Sequence, residues 1–376
     1  MKKTGIAIAI MGLGFGLMSQ GVSAADMVVK LGHVGPLTGS ISHLGKDNEN
    51  GALLAIEEYN AKGVTIGGKK IKFEIMGEDD QADPRAGTTV AQRLVDAEVA
   101  GVVGHLNSGT TIPASRIYHQ AGIPMISPSA TNPKLTQQNY AGVFRTIAND
   151  VQQGGAIGKF ATGTLGAKNI AIIDDRTAYG QGLADEVEKS AKATGGKIVA
   201  REFTNDKATD FMAILTKIKA QNPDVIFFGG MDAQAGPMVR QLKQLGINAK
   251  FMAGDGACSG EMLKLAGDAL SGNTYCTQAG LPLDKMPGGK DFKDRYKKRF
   301  NLDVQIYAPY AYDAAAAMIE AMKVADSTSP AKYLPALKAI SFQGVTGNVA
   351  FDAKGDIKEG AITVYQFKDG GWNPVP

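Results

Sequence analysis

A twice-repeated alternation of short β-branched runs with helix-period stretches is what most restricts the folds open to this chain. In the first round, residues 27–31, 71–76, 99–103 and 123–126 read as strands. Between them, 48–61 carry Ala52, Leu53, Ala55, Ile56 and Tyr59 at helical spacing, and 84–95 and 110–120 follow suit, the former with Pro84 in its first turn after Asp83. Residues 35–45 read as a Gly/Ser/Thr loop. In the second round, 169–173, 198–203, 224–228 and 250–253 read as strands, separated by helices near 182–193, 210–220 and 233–245. Helices near 308–325 and 330–339 come next, and the tail segments 348–351 and 361–367 alternate like two antiparallel strands around the turn at 353–355. The pattern predicts an α/β fold with parallel sheets covered on both faces, in two doubly wound units with a cleft between them. A length of 376 residues suffices for two such cores.

The first 25 residues read as an address. Met1-Lys2-Lys3 is a positive start, 6–18 is apolar without charge, and Val22-Ser23-Ala24 offers the small residues of a cleavage site, so removal after Ala24 or Ala25 is expected. The apolar run is shorter than the roughly 20 residues a membrane span needs. A soluble, exported protein is the expectation. Forty Lys plus Arg against 37 Asp plus Glu gives +3, and loss of Lys2 and Lys3 takes this to +1. Such a balance supplies no field for holding nucleic acid or an acidic membrane.

Export bears on the two cysteines. Cys258 and Cys276 lie 18 positions apart, and an oxidising compartment favours their pairing. The competing reading is that Gly256-Ala257-Cys258-Ser259-Gly260 fits G-x-C-x-G, the cysteine form of a nucleophile elbow, with four histidines as possible bases. That reading needs a free thiol at Cys258.

Ligands of open α/β sheets sit beyond the carboxyl ends of the strands. The loop after 103 runs Gly104-His105-Leu106-Asn107-Ser108-Gly109-Thr110-Thr111, where hydroxyls and helix-start N–H groups suit an anion. Ser127-Pro128-Ser129-Ala130-Thr131 follows the next strand, and Gly254-Asp255-Gly256 places an acid at a strand end of the second round. An anion site facing a carboxylate across a cleft suits a zwitterion. Ser108 and Thr131 can also be helix N-caps, and Asp255 a turn residue. His105 reads as part of the strand-end shell, and no histidine or acid cluster has metal-ligand spacing. Gly154-Gly155-Ala156-Ile157-Gly158-Lys159 misses the phosphate-loop spacing, with Gln153 before it and Phe160 where Ser or Thr is required.

Gly104-His105-Leu106, the 127–133 stretch and Tyr179-Gly180-Gln181-Gly182-Leu183-Ala184 together resemble the branched-chain amino-acid-binding (leucine/isoleucine/valine-type) periplasmic proteins of bacterial ABC importers. Asp80 with Asp83-Pro84-Arg85-Ala86, Phe228-Gly229-Gly230, Phe251-Met252 and Phe351-Asp352-Ala353-Lys354-Gly355-Asp356 continue the likeness along the mature chain. The resemblance implies a type I periplasmic binding protein fold: two Rossmann-like lobes joined by a three-strand hinge. Lobe 1 would be 26–149 plus 280–355, and lobe 2 would be 150–279 plus 356–376. It also implies ligand-binding roles. Ser108 and Thr131 would hold the α-carboxylate, and the Ser129 carbonyl, Thr131 hydroxyl and Asp255 carboxylate the ammonium, with Ala130 in the same loop. Tyr179 would close from the second lobe, and Leu44, Leu106, Asn107 and Met231 would surround the side chain. No cofactor or metal is implied; the expected partners are a free amino acid and an inner-membrane permease, and the expected state is a monomer.

The chain departs from leucine-type relatives in three ways. Leu44 and Met231 replace aromatics, Asp255 replaces a longer Glu, and Ala82 and Asn107 stand where those proteins carry a cysteine pair. A smaller wall leaves room for a bulkier, aromatic amino acid. An exported hydrolase built on Cys258, or a ligand sensor of the same fold, are the other functions open to the sequence.

Overall fold

The computed structural model describes Met1 and residues 27–376; the expected leader and its cleavage site lie outside these. The first sheet contains β1 (Met27–Gly35), β2 (Thr65–Ile66), β3 (Lys69–Asp79), β4 (Val102–Gly104), β5 (Met125–Ser127) and β6 (Val143–Arg145), in the order β2-β3-β1-β4-β5-β6. All its pairings are parallel except β2 with β3. The chain then crosses to a second sheet formed from β7 (Asn169–Asp174), β8 (Lys197–Phe203), β9 (Val225–Gly229), β10 (Lys250–Ala253) and β11 (Thr274–Gln278). It returns to the first side for helices Gly289–Phe300, Ala308–Val324 and Pro330–Lys338 and a two-stranded ribbon, β12 (Ser341–Gln343) with β13 (Asn348–Ala350). A third crossing takes it to β14 (Thr363–Lys368) and β15 (Gly371–Pro374), which extend the second sheet antiparallel beside β11.

The strands form where uninterrupted apolar runs lie between helix layers. β4, β5 and β9 are buried at every position, as expected of parallel strands covered on both faces. In the first core, Leu31, Phe73, Val103 and Ile126 meet the alanine-rich face of helix Ala308–Val324. In the second, Ile173, Ile226, Phe228 and Phe251 pack against Leu215, Met238 and Met262.

Two sequence expectations are corrected. The tail strands do not pair with each other: β13 pairs with β12 and β14 with β11, leaving only a Phe351–Ile357 bridge around the 353–355 turn. Pairing partners are chosen by long-range packing, which local alternation does not reveal. The first helix spans Ser42–Lys62, so it begins inside the expected 35–45 loop. Its opening turn has no side-chain cap, so the usual start signal was missing.

The glycine run that failed as a phosphate loop has a packing role. It lies in helix Asp150–Lys159, where a Cβ on Gly154 would fall 2.6 Å from the Glu186 Cβ and one on Gly158 2.5 Å from that of Ser190. Glycine at these positions lets the helix lie against Ala178–Ala193, which carries Tyr179.

His33 supplies a test of the first core. It is fully buried in β1 with both ring nitrogens unpartnered, and burial lowers its pKa to about 4 from 6.5. The unfolded chain binds this proton near the ordinary value and the folded chain only near 4. Stability is therefore complete above pH 6.5 and falls as pH drops toward 4, by about 3 kcal/mol from this group. Urea midpoints across that range should fall in the wild type and fall less in His33→Asn. An identical slope in the variant would remove His33 as the cause.

Candidate functional site

The carboxyl ends of β4, β5 and β10 bring the three candidate loops together. Ser108 is the first residue of helix Ser108–Ala121, whose N-cap Asn107 makes no side-chain cap bond; the Thr110 and Thr111 N–H groups donate to the Asn107 carbonyl, so the donor capacity of the helix start rests with Ser108 and Gly109. Ser108 Oγ accepts from the Asn132 N–H at 3.2 Å, tying the two first-sheet loops together. Neither Ser108 nor Thr131 is a helix N-cap. Ser129 Oγ accepts from Asn48 Nδ2 (3.0 Å) and donates to the Leu106 carbonyl (3.3 Å). The Ala130 N–H donates to Ser127 Oγ and its carbonyl accepts from Arg145, so Ala130 serves as a buried wall. Thr131 Oγ1 is buried and unpartnered.

Asp255 starts a short 3₁₀ turn after β10 and is buried. Its Oδ1 accepts from Gln153 Nε2 (2.9 Å) and Tyr179 OH (2.9 Å), and its Oδ2 from Tyr307 OH (2.7 Å). Gln153 in turn accepts from the Asp255 N–H and from Thr277 Oγ1. The flanking glycines permit this: a Cβ on Gly254 would fall 2.5 Å from Tyr179 OH, and one on Gly256 2.5 Å from Met231 Sδ. Burial raises the Asp255 pKa, opposed by those three hydroxyl and amide donors.

Asp150, which the sequence reading missed, is the second carboxylate of the site. It opens helix Asp150–Lys159, its N–H donates to the Thr131 carbonyl, and it is fully buried with neither carboxylate oxygen hydrogen-bonded. Burial, and then the charge of Asp255, push its pKa well above the carboxylate range, opposed by the neighbouring Thr131 hydroxyl. An acid after Asn149 reads locally as helix-start chemistry, so the sequence held no signal for it. Gln153, inside the same helix, and Tyr307, just before helix Ala308–Val324, carry no local pattern that marks them. Tyr307 is held in place by Asp47, whose carboxylate accepts the N–H groups of Gln305, Ile306, Tyr307 and Ala308.

The four expected apolar residues converge. Leu44, Leu106, Tyr179 and Met231 belong to one buried cluster spanning both sheet units, joined by Ile41 and Tyr307. Asn107 is half-buried beside them with an unpartnered Oδ1. With Ile41, Thr177, Tyr179 and Met231 it lines a cavity of about 580 Å³ that opens between the two units. Besides Tyr307–Asp255, the units are joined by Asn132 Nδ2 donating to the Ala178 carbonyl (2.6 Å) and by His43 Nε2 at 2.7 Å from Asp232 Oδ2. The site thus offers N–H and hydroxyl donors at Ser108 and Thr131, with Asp150 against the Thr131 loop and Asp255 from β10, next to an apolar wall. That arrangement can hold a zwitterion and exclude water from it.

Cys258 and Cys276 are joined in a disulfide whose Cα atoms are 5.4 Å apart, packed against Tyr365 and Trp372. Cys258 therefore presents no thiol at the G-x-C-x-G turn. Among the described residues no group of His, Cys, Asp or Glu has the arrangement of a metal site, and no helix is long and apolar enough to cross a membrane.

The sequence profile of a family described as periplasmic binding protein matches residues 28–371. A Leu/Ile/Val-binding protein homolog from Brucella abortus is 37% identical over 376 aligned residues, covering 98% of this chain and 97% of that protein. Among solved structures, the leucine binding protein LivK from Thermotoga maritima superposes with a TM-score of 0.85 at 27% identity, covering 93% of this chain and 98% of its own. The branched-chain amino acid transporter substrate binding protein LivJ from Streptococcus pneumoniae, solved in complex with isoleucine, gives 0.82 at 30% identity, over 93% and 99%. Fold, crossover pattern and profile agree along the described chain: it belongs to the periplasmic binding protein family, whose members bind a substrate rather than transform it.

Proposed function

We propose that this chain captures a free branched-chain amino acid (leucine, isoleucine or valine) by hinge closure and delivers it to an inner-membrane ABC permease. The two sheet units act as the lobes, 26–149 plus 280–355 and 150–279 plus 356–376, swinging about the three crossovers. The observation that carries this reading is the unsatisfied chemistry at the centre of the cleft. The Asp150 carboxyl and the Thr131 hydroxyl are buried beside one another with no well-formed hydrogen bond at either, close to Asp255. A ligand ammonium supplies the positive charge and the donors that these groups lack, and desolvated charges of this kind are stable only when paired. The α-carboxylate takes the helix start at Ser108 and the Thr131 loop, and the aliphatic side chain lies against Leu44, Leu106, Tyr179 and Met231. Binding favours the closed form because only there do both lobes touch the ligand. The relatives' printed ligands, leucine and isoleucine among them, support the side-chain assignment. The protein works in the periplasm as a monomer after losing its leader behind Ala24 or Ala25.

A second reading, an aromatic amino acid, draws on the cavity of about 580 Å³ lined by Ile41, Tyr179 and Met231. One experiment separates them: the melting temperature with each of the twenty amino acids, on protein unfolded and refolded to strip carried-over ligand. At 100 times its dissociation constant a ligand adds about 2.7 kcal/mol, a shift of several degrees. Shifts with leucine, isoleucine or valine support the first reading, and shifts confined to phenylalanine, tyrosine or tryptophan the second. No shift with any amino acid overturns both.

A further inference from the structure

His43 and Asp232 meet across the cleft although 189 residues separate them. His43 is the second residue of the first-side helix Ser42–Lys62, and Asp232 the first residue of the second-side helix Asp232–Gln244. The Asp232 side chain is fully buried, while that of His43 is 23% exposed. Asp232 Oδ2 accepts from Ser259 Oγ as well as facing His43 Nε2, and Oδ1 has no partner. Among the described residues His43 is the basic side chain within salt-bridge distance of this buried carboxylate. The charged groups facing His43 are all acidic: Asp232, Glu261 of helix Gly260–Ala266, and Asp47 on its own helix. Burial works against the imidazolium and the Asp232 carboxylate favours it, and the pKa lies above the ordinary value of 6.5. Neither residue belongs to the headgroup or side-chain sites described above.

Opening the lobes breaks this contact and returns both groups to water. We propose that His43 and Asp232 form a proton-operated latch, so that closure on the ligand takes up a proton at His43 and ligand affinity declines as pH rises above neutrality. This rests on the reading of the chain as a hinged amino-acid-binding protein. The sign follows from linkage: the closed form holds the His43 proton more tightly than the open form. Affinity is greatest below the open-form pKa and declines between the two values, by about tenfold for each pH unit separating them.

The test is calorimetric titration with L-isoleucine from pH 6 to 9, in pairs of buffers with different ionisation enthalpies. Wild type should bind with proton uptake at pH values above 6.5, and its affinity should decline as the pH is raised to 9. His43→Gln keeps a hydrogen-bond donor but cannot titrate, so it should show a flat profile and no His43 uptake. Wild type with a flat profile, or a variant that keeps the wild-type slope, would overturn the latch while leaving amino-acid binding intact. If L-isoleucine gives no heat at any pH, the branched-chain reading fails, and the latch is then tested with whichever amino acid raises the melting temperature. In the ligand-bound chain His43, followed by NMR, should titrate above 6.5 and move down in Asp232→Asn; a bound-form titration at or below 6.5 in the wild type would overturn the latch.

Discussion

Replacing Asp150 by Asn is expected to lower affinity for the amino-acid ligand by roughly 30-fold to several thousandfold, without destabilising the free chain. The range corresponds to about 2–5 kcal/mol for removing one partner of a buried charge pair. The second half of the expectation makes the test specific. The Asp150 carboxyl makes no well-formed hydrogen bond, the adjacent Thr131 hydroxyl included, and its burial beside Asp255 raises its pKa well above the usual range. A folded-state pKa above the unfolded one means that its contribution favours folding at low pH and is lost as pH rises through the folded value. Asn removes that cost, so the melting temperature of the ligand-free variant at neutral pH should equal or exceed that of the wild type. Asp255→Asn should behave differently, losing both affinity and stability, because Gln153, Tyr179 and Tyr307 all donate to the Asp255 carboxylate. Asp150→Asn with wild-type affinity by calorimetry would take Asp150 out of the ammonium site.

Arg145→Met is the second substitution with a large expected effect, here on stability first. Arg145 is fully buried at the end of β6, just before the first crossover. Its Nε donates to Asp356 Oδ1 (2.5 Å), Nη1 to the carbonyls of Ala130 (2.8 Å) and Asn132 (3.0 Å), and Nη2 to Thr136 Oγ1 (2.9 Å). One guanidinium thus fastens the Thr131 loop to the third crossover, where Asp356 lies. Removing it leaves Asp356 and two carbonyls without their charged donor. Breaking a buried pair costs about 3–5 kcal/mol, and the partial exposure of Asp356 argues for the lower end. A fall in melting temperature of roughly 6–12 °C is expected for domains of this size. Below that melt, loosening the Thr131 loop should weaken ligand binding about tenfold, through the ordering cost now paid on binding. A melt within 2 °C of wild type, on the order of 1 kcal/mol or less, would show that the four bonds contribute little net stability.

Much of this molecule is local in origin. The alternation of buried runs with helix-period stretches determined the two parallel sheets, because a strand covered on both faces must be apolar throughout and a covering helix must repeat its apolar positions every three to four residues. The loops at 104–111, 127–131 and 254–256 were legible too, since hydroxyls, glycines and an isolated acid at strand ends have few local uses. Tertiary structure decided what depends on partners far away in the chain. Whether Asp150 is an exposed helix-start acid or a buried neighbour of Asp255, whether Leu44 lies in a loop or a helix, and whether His43 meets solvent or Asp232 depend on burial and contact across the crossovers. The same holds for the pairing of the tail strands. A side chain's charge state and hydrogen bonds follow from the groups packed around it, and at this site those groups come from both sheets at once. The sequence determined which elements form and which loops carry polar chemistry. Only the packing of one lobe against the other decided which polar atoms were left without a protein partner, and those are the atoms a ligand can satisfy.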